Sequence, residues 1–106
     1  MSISSAWSAS PAKLLRVHLC ESDRFQGKLL YEAIVDKCRE LKIAGATVFR
    51  GMEGYGDTAE IQRQPIVIQV ADSAENIERI LAAIQDMIEN GLLAVSFVEM
   101  IRVRKK

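Results

Sequence analysis

The chain has 106 residues, 49% hydrophobic and 26% charged, the balance of one ordinary globular domain. Its 14 basic and 14 acidic residues cancel to a formal charge of zero, so no global field draws it to nucleic acid or to a membrane surface. No apolar run nears the roughly 18 residues that a spanning helix needs.

Met1–Ala12 is rich in Ser and Ala and lacks the basic start and apolar stretch of a secretion signal. It reads as a disordered or loosely docked tail over residues 1–12, with Trp7 as its one anchor, and residues 13–106 form the domain. The expected compartment is the cytoplasm, where Cys20 and Cys38 stay free thiols. Lys13–Cys20 alternates: Leu15, Val17 and Leu19 share one face, with Leu14, Arg16, His18 and Cys20 on the other, as in a strand. A polar loop, Glu21–Gln26, ends at Gly27. Lys28–Lys42 reads as a helix with Leu30, Ile34, Cys38 and Leu41 on one stripe, terminated at Gly45. Ala46–Arg50 is a short strand that opens into glycines at 51, 54 and 56, followed by the polar segment Asp57–Gln64. Such a segment on a stiff base suits a mobile, ligand-responsive loop; a long hairpin without function is the plain alternative. Pro65–Ala71 is the next strand. Asp72-Ser-Ala-Glu75 reads as the capping box of a second helix, with Ile77, Ile80, Leu81, Ile84 and Ile88 buried and Asn90-Gly91 as its stop. Ala94–Arg104 is the last strand.

This order, β-α-β-β-α-β, predicts an α+β fold of the ferredoxin-like type: a four-stranded antiparallel sheet with both helices on one face. The last strand is apolar on both sides, with Val95, Phe97, Ile101 and Val103 on one and Ala94, Val98 and Met100 on the other. Helices cover one sheet face only, so the second is expected to be buried between identical subunits.

Arg102 and Arg104 lie two apart on one strand face, and two guanidiniums aimed at one spot suit a phosphate. A solvated basic end running into Lys105 and Lys106 is the alternative. Gly51, Gly54 and Gly56 can offer backbone N–H groups to an anion, or serve turn geometry alone. His18 stands without a cluster at metal-ligand spacing and reads as structural. No CxxC pair is present, and no nucleophile–base pair points to an enzyme.

The runs Lys13–Asp23, Gly27–Val35 and Ile43–Gly56, above all Gly45-Ala-Thr-Val-Phe-Arg-Gly-Met-Glu-Gly-Tyr-Gly56, resemble the PII-like proteins of the domain-of-unknown-function 190 family. The resemblance spans about residues 13–104. It implies a homotrimer of ferredoxin-like subunits, a non-enzymatic signalling protein of the cytoplasm. It further implies an adenine nucleotide (AMP, ADP, ATP or cyclic AMP) bound between subunits. Arg50 and Gly51 would line the cleft with Gly54 and Gly56, and Arg102 and Arg104 would contact the phosphates, as the terminal Arg-x-Arg of PII proteins does. The loop after the second strand would engage a membrane transporter or an enzyme. No metal, covalent cofactor or nucleic acid is implied. Two other readings stand beside it. One is a trimeric interaction protein that has lost nucleotide binding, favoured by the shortness of Asp57–Gln64. The other is a divalent-cation-binding trimer like the CutA proteins, disfavoured by the single histidine.

Overall fold

The computed structural model describes residues 9–52, 54–55, 61–62 and 65–103, with the backbone alone at 54–55 and 61–62. The strands are β1 (Ala9–Cys20), β2 (Arg24–Phe25), β3 (Lys28–Leu29), β4 (Thr47–Arg50), β5 (Gly54–Tyr55), β6 (Ile61–Gln62), β7 (Pro65–Asp72) and β8 (Leu92–Ile101). The helices are α1 (Leu30–Glu40) and α2 (Ala74–Ile84), the second extended by a 3₁₀ turn at Gln85–Met87. β4, β7, β1 and β8 form one antiparallel sheet in that order, so the expected α+β, ferredoxin-like plan is the observed one.

The core lies between the helices and one face of this sheet. Register pairs Leu15 with Val70, Val17 with Ile68 and Leu19 with Ile66, which stacks the buried residues of β1 and β7 on a common side. Leu30, Ile34 and Cys38 of α1 and Ile77, Ile80 and Ile84 of α2 close over them. Each fully buried side chain of this size stabilises the fold by about 1.5–3 kcal/mol. Among the described residues, no helix covers the opposite face. Arg16, His18 and Phe49 are exposed there, with Leu14 and Val67 half-buried.

Several local features depart from expectation. β1 starts at Ala9 rather than Lys13: Ala9–Ala12 pairs with Val98–Ile101 of β8, and Ala12 is buried. Pro11 is tolerated because the β1–β7 register begins only at Lys13, so no ladder on that side needs its missing N–H. The rest of the expected tail, residues 1–8 with Trp7, lies outside the described residues. Part of the expected loop after β1 is a hairpin, β2–β3, turned by Gln26 (φ 49°) and Gly27 (φ 82°). Positive φ at both central residues gives a turn whose twist matches paired strands. That hairpin takes Lys28 and Leu29, so α1 starts at Leu30. α1 stops at Lys42 (φ 60°), not at Gly45: Lys42 N–H donates to the Arg39 carbonyl and Ile43 N–H to that of Cys38, a Schellman closure sealed by buried Ile43. The cap of α2 is Ser73, whose Oγ accepts from Asn76 N–H at 3.2 Å. α2 ends before Asn90-Gly91, because tightening to 3₁₀ at Gln85 turns Met87 into the core. β8 runs Leu92–Ile101 rather than Ala94–Arg104.

Candidate nucleotide site

Arg50 is the last residue of β4, an edge strand. Its guanidinium is exposed and ion-paired with Glu21, the first residue after β1. Exposed pairs of this kind are worth about 0–1 kcal/mol, so an arriving anion can displace the carboxylate. Gly51 follows at a point where no side chain fits. Its N–H donates to the Pro65 carbonyl at 2.8 Å, and a Cβ there would lie 2.7 Å from Pro65 Cγ. Gly51 thus locks the mouth of the loop segment to the start of β7. Beyond it, Gly54 pairs with Gln62 and Tyr55 with Ile61, a short ladder inside the segment expected to be a loop. Gly56 and Arg104 lie outside the described residues, as do Asp57–Glu60.

Arg102 follows β8 and is exposed. Its charge acts on Asp72, which the sequence reading took for a helix cap. Asp72 is buried at the end of β7 and accepts from Ala44 N–H (2.8 Å), Ser73 N–H (2.7 Å) and Asn76 Nδ2 (3.1 Å). Burial opposes its ionisation. The Ala44 and Ser73 amides, the Asn76 amide and the charge of Arg102 outweigh that and hold its pKa below the ordinary value. The carboxylate therefore joins the α1–β4 connection to the start of α2, within reach of the charge of Arg102. Neither Glu21 nor Asp72 was singled out as a partner of the arginines. The signal for Glu21 was the topology itself: β1 and β4 run the same way, so their C-terminal ends share one end of the sheet.

Arg50 and Arg102 do not meet within one chain. Arg50 pairs with Ile66, which pairs with Leu19; Ile101, beside Arg102, pairs with Ala9. At the rise of a strand, Ala9 and Leu19 are separated by about 33 Å along β1. The two arginines also lie at opposite edges of the sheet, β4 and β8. They occupy diagonal corners. Among the described residues, no group of three His, Cys, Asp or Glu side chains is placed to hold a metal ion. Among the same residues, no helix is long and apolar enough to cross a membrane.

A helix-backed, four-stranded antiparallel sheet with a glycine-marked segment between its second and third strands defines a PII-like, ferredoxin-type protein. Its backbone matches CPII of Thiomonas intermedia K12, a nitrogen regulatory PII-like protein bound to ADP, AMP and bicarbonate, with a TM-score of 0.72 and 20% identity over 88% of this chain and 98% of that one. It also matches the divalent ion tolerance protein CutA1 of Ehrlichia chaffeensis, with a TM-score of 0.61 and 17% identity over 88% and 84% of the two chains. At these identities the likeness is one of fold. The chain belongs to the domain-of-unknown-function 190 family, described as an uncharacterized ACR, whose model matches residues 12–100. The UPF0166 protein of Aquifex aeolicus (strain VF5) is 37% identical over 98 residues, covering 84% of this chain and 92% of its own.

Proposed function

We propose that this chain is a non-enzymatic, cytoplasmic signalling protein that binds an adenine nucleotide between subunits of a homotrimer and regulates a partner protein. The observation that carries the reading is the diagonal placement of Arg50 and Arg102. An anion site that uses both can be built only where the β4 corner of one copy meets the β8 corner of another. The uncovered sheet face supplies a reason for copies to associate. The nucleotides bound by CPII, which shares the fold, favour AMP or ADP as the ligand. In this reading Arg50 and the backbone of Gly51, Gly54 and Gly56 close over the phosphates, and Arg102 and Arg104 grip them from the neighbouring copy. Gly51 anchors the segment after β4 to Pro65, so a phosphate drawn to Arg50 is felt at the base of that segment. The segment then presents itself to a target such as a membrane transporter or an enzyme.

Calorimetric titration with AMP, ADP, ATP and cyclic AMP tests the proposal. At least one is expected to bind below millimolar concentration. A charge-assisted contact is worth about 1.5–3 kcal/mol, so Arg102→Ala should weaken that binding roughly 10- to 150-fold. No binding by any of the four, or an unchanged affinity in the Arg102→Ala/Arg104→Ala chain, defeats the sensing role.

A further inference from the structure

Glu21 stands on a fixed turn at the end of β1. Asp23 N–H donates to the Cys20 carbonyl at 3.1 Å, and the Asp23 carboxylate accepts from Cys20 N–H at 3.0 Å. The Asp23 carbonyl accepts from Leu30 N–H at 2.8 Å, which ties the turn to the start of α1. Three hydrogen bonds thus hold the backbone on both sides of Glu21. Register explains why its carboxylate meets Arg50. Arg50 pairs with Ile66, and Ile66 with Leu19, two residues before Glu21. β7 lies between β1 and β4, so the two backbones are about 10 Å apart, a span that two long side chains bridge. The partners differ in exposure: the Glu21 side chain is 20% exposed and that of Arg50 60%. The carboxylate is the held partner, and the guanidinium is the one open to solvent.

We propose that Glu21 is a built-in competitor for the anion site: its carboxylate occupies Arg50 in the free chain, yields to an arriving phosphate, and so sets how tightly the nucleotide binds. The inference rests on the nucleotide reading above and adds to it a residue that lowers affinity. Carboxylate and phosphate are recognised by the same donors of a guanidinium, so both cannot take its full set at once. A carboxylate tethered to the chain is present at high effective concentration. A phosphate therefore exchanges with Glu21 instead of finding an unpaired donor. The exchange stays closely balanced because Arg50 lies mostly in water, where an ion pair is weak. A phosphate monoester near neutral pH carries more charge than a carboxylate, and it displaces Glu21 where a monoanionic solute does not. Because the turn under Glu21 is fixed, the pair opens by movement of the Arg50 side chain. Arg50 is also the residue that leads into Gly51 and its bond to Pro65.

Calorimetric titration of four chains reads the exchange, with whichever of AMP, ADP, ATP and cyclic AMP wild type binds most tightly. Glu21→Gln keeps the size of the side chain and removes its charge, and it should tighten binding about two- to fivefold. Glu21→Ala, which offers the guanidinium no side-chain acceptor, should tighten it at least as much, and it serves in place of Glu21→Gln if that chain does not fold. The gain is expected only where Arg50 is present, so Arg50→Ala and Glu21→Gln/Arg50→Ala should bind alike. Circular dichroism establishes that each chain is folded; loss of the fold in both single Glu21 variants would make Glu21 a structural residue and overturn the inference. An equal gain in the Arg50→Ala background would mean plain repulsion of the ligand by Glu21, and it overturns the competitor. So does wild-type binding that neither Glu21 variant improves, and in both cases the nucleotide reading stands. No binding of any of the four nucleotides by any of the chains overturns that reading and this inference together.

Discussion

Removing the carboxylate of Asp72 tests how the end of β7, the α1–β4 connection and the start of α2 are held together. Asp72 takes backbone donors from Ala44 and Ser73 at 2.8 and 2.7 Å and the Asn76 amide at 3.1 Å. In Asp72→Ala the Ala44 and Ser73 amides lose their acceptor. An orphaned donor costs about 1–3 kcal/mol when fully buried; Ala44 is exposed and Ser73 half-buried, so water replaces part of the loss and the penalty for the pair is roughly 1–3 kcal/mol. Asp72→Asn keeps one acceptor oxygen and should cost less, about 0.5–1.5 kcal/mol. Urea unfolding at fixed protein concentration reads both, and with a slope of about 1–3 kcal/mol per molar the alanine variant should lose on the order of 1–2 M in midpoint. The sign of the pH effect follows from linkage. The folded pKa lies below the ordinary value of 3.8, so the unfolded chain binds the Asp72 proton first as acid is added. The stability from ionised Asp72 is full above its unfolded pKa and is lost as pH falls through the lower folded value. The gap between wild type and Asp72→Asn should therefore be wide at neutral pH and narrow below about pH 4. An alanine penalty under about 0.5 kcal/mol, or a gap that widens in acid, refutes the reasoning.

Other substitutions follow from single contacts. Gly51→Ala drives a Cβ against the rigid Pro65 ring, and overpacking of this kind costs about 1–3 kcal/mol; an unchanged urea midpoint would contradict the close approach. Lys42→Gly relieves a side chain held at positive φ and should raise stability by about 1 kcal/mol, whereas a loss would mean that the helix stop is read wrongly. Burial lifts the Cys38 thiol to about 11, and burial together with Asp23 raises Cys20 more mildly, so at pH 8 a disulfide reagent should modify Cys20 slowly and Cys38 only after denaturation. Prompt reaction of both thiols in native buffer would argue against that packing.

The strands and helices were legible wherever burial imposed a period. Leu15, Val17 and Leu19 announce a half-buried strand, and Ile77, Ile80 and Ile84 a helix, because each set faces one core. The misjudged boundaries are those set by a partner or by a backbone bond. Ala9–Ala12 has no alternation of its own; its strand is imposed by β8. α1 ends through hydrogen bonds from Lys42 N–H to the Arg39 carbonyl and from Ile43 N–H to the Cys38 carbonyl, so a glycine further on was credited with the role. Asp72 looked like a cap because Ser73 and Glu75 follow it. Its real task needs the Ala44 amide, which only the folded chain brings near. The arginines of the candidate site were visible as residue types, but their placement at diagonal corners was not. It depends on strand order and register, which no local pattern encodes.

That diagonal placement makes the proposed two-chain nucleotide cleft testable without a structure of the complex. Arg50→Ala removes one half of each cleft and keeps Arg102; Arg102→Ala does the reverse. Each variant alone should bind nucleotide roughly 10- to 150-fold more weakly than wild type, because every cleft lacks one charge-assisted contact. The two chains are then unfolded together and refolded at equal amounts. In a cyclic trimer assembled at random, about one cleft in four takes Arg50 from an Arg102→Ala chain and Arg102 from an Arg50→Ala chain, and so has both. Titration of the mixture should show about a quarter of the wild-type capacity at wild-type affinity, above a weak background. If one chain held the whole site, no mixing ratio would restore a strong site, because every chain in the mixture lacks an arginine. A mixture that binds only as the average of its two components therefore refutes a cleft built from the β4 corner of one copy and the β8 corner of the next.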